Sequence, residues 1–263
     1  MPEISAQRFG QLVRDLEMAL SGRSIAVNAD SELHYLVTEV KEFVTGTRDL
    51  AAAATDSETD EIAVTVGYPL LVFWHLADAI ALLLTARVPK LQETLRTVAS
   101  LRHGDADQEE QFYDAAYELV SAADFCREGL RPSFIVTGQR SRYQKRVEYL
   151  LKHKWSVECK RPRSPDGIVR LAGDARRKID ERGTRGVVCI CLDHAFTDRV
   201  SFREYATVRD LQIDASTALQ NYLDNAKDGL LKAATSDHSV AVVFHMELLC
   251  YVHDTECISG PLL

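Results

Sequence analysis

The chain has 263 residues, 46% of them hydrophobic, and a formal net charge of -8. That apolar content suffices for a packed core and excludes a disordered chain, and the acidic balance excludes a surface coated throughout in nucleic-acid-binding charge. The six cysteines, Cys126, Cys159, Cys189, Cys191, Cys250 and Cys257, form no CxxC pair and no finger spacing with histidine, which speaks against a zinc site built on them.

Apolar residues recur at helical spacing in Phe9, Leu12, Leu16 and Leu20, then in Leu33, Leu36, Val40, Phe43 and Val44, so the chain begins with helices. Thr55 to Glu61 is polar and acidic, as loops are. The most apolar run, Tyr68 to Leu84, contains His75 and Asp78, and it is expected as a buried helix and not a membrane span. A break near Pro89 precedes further helix to Ser100. No signal-peptide pattern stands at the N-terminus, and the expected setting is reduced and cytoplasmic. Residues 1–103 are expected to form a helical accessory region, a surface for a partner protein or a second copy, and residues 104–263 an α/β domain.

After His103-Gly104-Asp105 an amphipathic helix is expected over Asp107 to Arg127, stopped by Gly129. A short strand follows at Phe134 to Thr137. Ser164-Pro165-Asp166-Gly167 is expected as a turn and Ile168 to Glu181 as a basic helix. Gly186 to Leu192 has the continuous apolar character of a strand buried on both faces. A helix from about Ala215 to Ala234 and a long strand from Ser239 to Val252 complete the α/β pattern.

The segment Arg146 to Pro162 reads as a β-hairpin. With its turn centred on His153, Glu148 and Glu158 oppose each other and Lys160 shares their face, while Cys159 points the other way, into the core. Paired carboxylates at that spacing repel unless a positive charge lies between them, which a divalent cation supplies. Between Arg140 and Arg163 nine Lys/Arg stand against two Glu, a local balance of +7 in an acidic chain. The bland alternative is a solvated, mixed-charge hairpin.

Helix, hairpin, Val157-Glu158-Cys159-Lys160-Arg161-Pro162, basic helix and apolar strand follow in an order that resembles the PD-(D/E)XK nuclease superfamily. The resemblance covers about Asp107 to His194. It implies a restriction-endonuclease-like core with a central mixed sheet flanked by helices, and a metal-dependent nuclease acting on DNA or RNA, in a superfamily that often serves defence against foreign nucleic acid. Glu158 and Lys160 match its Glu-Xaa-Lys motif, Glu148 falls where an Asp after Pro is usual, and Glu118 matches the acid of the preceding helix. By this resemblance Glu148, Glu158 and the Cys159 carbonyl hold Mg²⁺ or Mn²⁺, and Lys160 orients or deprotonates the attacking water. The basic residues Arg140, Arg142, Lys145, Arg146, Arg161 and Arg163 would contact phosphates, as would Arg176 and Lys178, which stand on the helix where many members carry Gln.

Val147, in place of the usual Pro, motivates a second reading: an inactive nuclease-like module that only binds nucleic acid or a protein partner. A third is an α/β interaction domain whose Glu-Xaa-Lys is a surface strand pattern.

Overall fold

A computed structural model of the chain describes residues 6–46, 67–136, 147–151, 155–193, 195, 203–246, 251–252 and 257–258. It is mixed α/β, and its internal packing divides into two units, Ser5–Lys152 and His153–Leu263. The division falls after residue 152, and the helix that follows His103 packs within the first unit.

In the first unit, α1 (Ala6–Ser21), α2 (Glu32–Val44), α3 (Tyr68–Thr85), α4 (Leu91–Val98) and α5 (Ala106–Arg127) precede the antiparallel strands β1 (Ser133–Val136) and β2 (Val147–Leu151). The helical spacing read from α1 is the spacing of its buried side chains, with Phe9, Leu12, Leu16 and Leu20 all within the core. Phe9 meets Phe43 and Trp74 edge to face, with ring centroids 5.5 and 5.4 Å apart. Ser31 caps α2 by accepting the His34 N–H, and Asp105 caps α5 by accepting the Gln108 N–H. Helix α3 is long and apolar enough to cross a membrane, yet Phe73, Leu76, Ile80 and Leu83 are fully buried against the neighbouring helices of this unit.

The second unit is built on three parallel strands, β3 (Trp155–Lys160), β4 (Gly186–Cys191) and β6 (Ser239–His245), with β4 between the others. The connections are α6 (Pro165–Arg182) and α7 (Val208–Ala234), the helical crossovers that parallel strands require. Ile168, Ala172, Ala175 and Ile179 of α6 form a stripe that packs on Val188 and Ile190 of β4 and on Leu211, Ala215 and Leu230 of α7. A smaller sheet joins β5 (Glu204–Tyr205), β7 (Tyr251–Val252) and β8 (Cys257–Ile258).

Local details depart from the sequence reading in three places. Pro165-Asp166-Gly167 is the first turn of α6 and not a separate turn, because Ser164 takes the N-cap position and proline, lacking an N–H, suits the first helical residue. Helix α7 begins at Val208, seven residues before Ala215, because Thr207 and Asp210 form a reciprocal capping box there. The expected strand over Ser239 to Val252 is β6 and β7, which belong to different sheets.

Gly186 opens β4 at a pinch. A Cβ there would lie 2.7 Å from the Ser156 carbonyl oxygen and 2.9 Å from Ile179, so only glycine lets β3, β4 and α6 close together.

Candidate functional site

In a parallel ladder paired residues share a face, and Glu158 is paired with Val188 and Lys160 with Ile190. The acid and the lysine therefore stand on the face of β3 that α6 covers, at the border of the apolar core. Glu158 is only 3% exposed, although the sequence alone left it on an open hairpin. Cys159 occupies the opposite face, as strand alternation requires, but it is half-buried and not enclosed by the core.

Lys178 and Arg182 are four residues apart on α6 and project from the same side, beside the apolar stripe that anchors the helix. Both end on Glu158. Lys178 Nζ donates a hydrogen bond of 3.2 Å to Oε2, Arg182 Nη1 lies 2.7 Å from Oε1, and Lys160 Nζ lies 3.5 Å from Oε2. Three cations thus surround one buried carboxylate. Their side chains are 16 to 25% exposed, and Arg182 Nη1 itself is buried against the carboxylate.

Arg182 was absent from the sequence reading, although its four-residue spacing from Lys178 was the available signal. The remaining basic residues of α6 pair along the helix: Arg170 reaches Asp174 at 3.6 Å, Arg176 reaches Asp180 at 3.8 Å, and Arg177 reaches Asp174 at 3.0 Å. Arg161 is half-buried and Arg163 exposed, just beyond β3. At the end of β4, burial pushes the Cys191 thiol well above its ordinary value, reinforced by the Asp193 charge and opposed by the Arg161 charge.

Glu118 lies half-buried on α5, in the first unit, and Glu148 lies on β2, with its side chain outside the described residues. Arg140, Arg142, Lys145 and Arg146 lie outside the described residues, as does the expected turn at His153.

Whether the residues around Glu158 suit a divalent ion turns on two observations. Both carboxylate oxygens are already engaged, Oε1 by Arg182 at 2.7 Å and Oε2 by Lys178 and Lys160 at 3.2 and 3.5 Å. The adjacent cations oppose a further positive charge, so an ion held by Glu158 and the Cys159 carbonyl needs additional acidic ligands.

A second group of potential ligands, none of which the sequence reading singled out, occurs in the first unit. Glu32, His103 and Glu109 each bring one ligand atom within 4.8 Å of the others, an arrangement able to hold a metal ion. His103 and Glu109 are neighbours in sequence, but Glu32 stands 71 residues before His103, so no local spacing announces the group.

Comparison with known proteins returns no matching family model, no matching curated protein and no matching solved structure.

Proposed function

We propose that the chain is a metal-dependent nuclease of the restriction-endonuclease-like type, hydrolysing phosphodiester bonds in DNA or RNA. The observation that carries this reading is the contact of Glu158 with Lys160 on one strand and with Lys178 on the following helix. The succession α5, β1, β2, β3, α6, β4 is the order the family resemblance implies.

Cleavage demands a water aimed at phosphorus and compensation for charge accumulating on the phosphate oxygens. Lys160 Nζ orients the water from its position beside Glu158. Lys178 and Arg182 hold positive charge at the phosphate without occupying the strand. A bound Mg²⁺ or Mn²⁺ would add Lewis-acid stabilisation of the same oxygens, with Glu158 and the Cys159 carbonyl among its ligands.

The ring of three cations favours a second reading, an inactive module that grips nucleic-acid phosphates. Clustered cations attract a polyanion. Incubating the full chain with labelled single- and double-stranded DNA and RNA, in Mg²⁺, Mn²⁺ or EDTA, separates the two. Cleavage that stops in EDTA and in Lys160→Met supports the enzyme. Salt-sensitive binding without cleavage supports the module, and neither activity removes both. Glu118→Gln and Glu148→Gln test the acids added by the resemblance.

A further inference from the structure

The geometry points to a Zn²⁺-class metal site formed by Glu32, His103 and Glu109, separate from the Glu158 site in residues and in structural unit. His103 Nδ1 lies 2.6 Å from Glu32 Oε2 and 3.4 Å from Glu109 Oε1. Two ligands of one tetrahedral ion, each bonded at about 2.1 Å, stand roughly 3.4 Å apart. The Glu109 separation already has that value. The Glu32 separation reaches it by a side-chain movement of several tenths of an ångström.

Charge argues the same way. Two carboxylates meet here, and a proton on Nδ1 can bridge to only one of them at short range. A divalent ion in place of that proton balances both negative charges and bonds all three atoms. One imidazole nitrogen with two carboxylate oxygens is a borderline donor set, suited to Zn²⁺ and its first-row neighbours more than to Mg²⁺.

The surroundings hold each ligand in place. The Tyr113 hydroxyl donates to Glu32 Oε1 at 2.8 Å, leaving Oε2 to face the imidazole. The Gly104 N–H donates to Glu109 Oε1. Tyr35 stacks on the His103 ring, with centroids 4.0 Å apart and planes within 10°. Such outer contacts fix the orientation of metal ligands. The backbone is tied as well, since Glu32 N donates to Leu101 O and His103 N to Asp30 O. Glu32 is buried, whereas the His103 side chain is 45% exposed and that of Glu109 32% exposed. An ion can therefore enter from the solvent side, where a water would complete its coordination.

The test is titration of the full-length, chelator-stripped protein with Zn²⁺ by calorimetry, alongside Co²⁺ absorption spectroscopy. The expected result is an ion bound with nitrogen and oxygen ligation. His103→Asn and Glu109→Gln, both partly exposed positions, should each weaken the nitrogen-ligated binding by about tenfold or more, while Glu158→Gln retains that component of the cobalt spectrum. Circular dichroism verifies that the variants fold. Equal affinity in wild type and His103→Asn, absence of binding, or a cobalt spectrum dominated by thiolate charge transfer would overturn the site.

Discussion

Arg182 Nη1 approaches Oε1 of Glu158 to 2.7 Å, placing a guanidinium from the last turn of α6 against a carboxylate that is almost wholly buried. The strand acid is thereby coupled to the helix that covers it. Its chemistry and the stability of the second unit depend on the same side chain.

Glu158→Ala should consequently cost stability as well as any activity. Removing the anion leaves three neighbouring cations to repel one another, and loss of one member of a buried pair costs about 3–5 kcal/mol. Partial exposure of those cations puts the expected loss near the lower end of that range. Urea denaturation measures it, and an unchanged midpoint would show that the pairs contribute nothing. Glu158→Gln, which keeps the shape, is the better variant for activity.

Lys160→Met and Lys178→Met should differ in kind. On the proposed nuclease reading, losing Lys160 should slow single-turnover cleavage by about a hundredfold or more with binding retained. On the same reading, losing Lys178 should chiefly weaken binding and reduce its salt dependence, by about one unit of slope for duplex DNA. Cleavage and equilibrium binding measured over a salt series distinguish the two outcomes.

Cys191 should resist alkylation in the native state while Cys126 and Cys159, both half-buried, react. Burial first, and then the Asp193 charge, hold its folded-state value well above the ordinary 9.0. For a group raised on folding, the stabilisation is complete below the unfolded value and declines as pH rises beyond it. The second unit should accordingly lose stability above about pH 9, less so in Cys191→Ala. Peptide mapping after alkylation and unfolding curves across alkaline pH provide the measurements.

Thr207→Ala should destabilise the second unit by about 1 kcal/mol, the usual cost of losing an N-cap side chain. Thr207→Ser retains the hydroxyl and should recover most of that loss. Equal denaturation midpoints for the two variants would show that the capping box does not stabilise α7.

Much of this architecture was legible because periodicity reports which side faces a core. Phe9, Leu12, Leu16 and Leu20 announced α1 and its buried face together. Strand alternation put Glu158 and Lys160 on one face, but it carried no information about what lay above that face. The burial of Glu158 under α6 was therefore invisible. Arg182 escaped because the family pattern supplies no residue for it. Glu32 and His103 escaped because their meeting depends on how α2 packs against the segment before α5, and no local signal reports a contact 71 residues apart. The Ser164 to Gly167 stretch was misjudged for the opposite reason: proline and glycine signal a turn locally, while proline at the first helical position lets the same residues begin a helix.

The pinch at Gly186 separates tolerance from constraint along β3. Ser156 pairs with Gly186 at the tight end, and Lys160 pairs with Ile190 four residues farther on, about 13 Å away. Strand spacing is set where no side chain fits, and charge is displayed where several do. Substitutions at the charged end can thus alter local charge while the backbone beneath keeps its dimensions, whereas a single methyl group at the narrow end disturbs three elements at once.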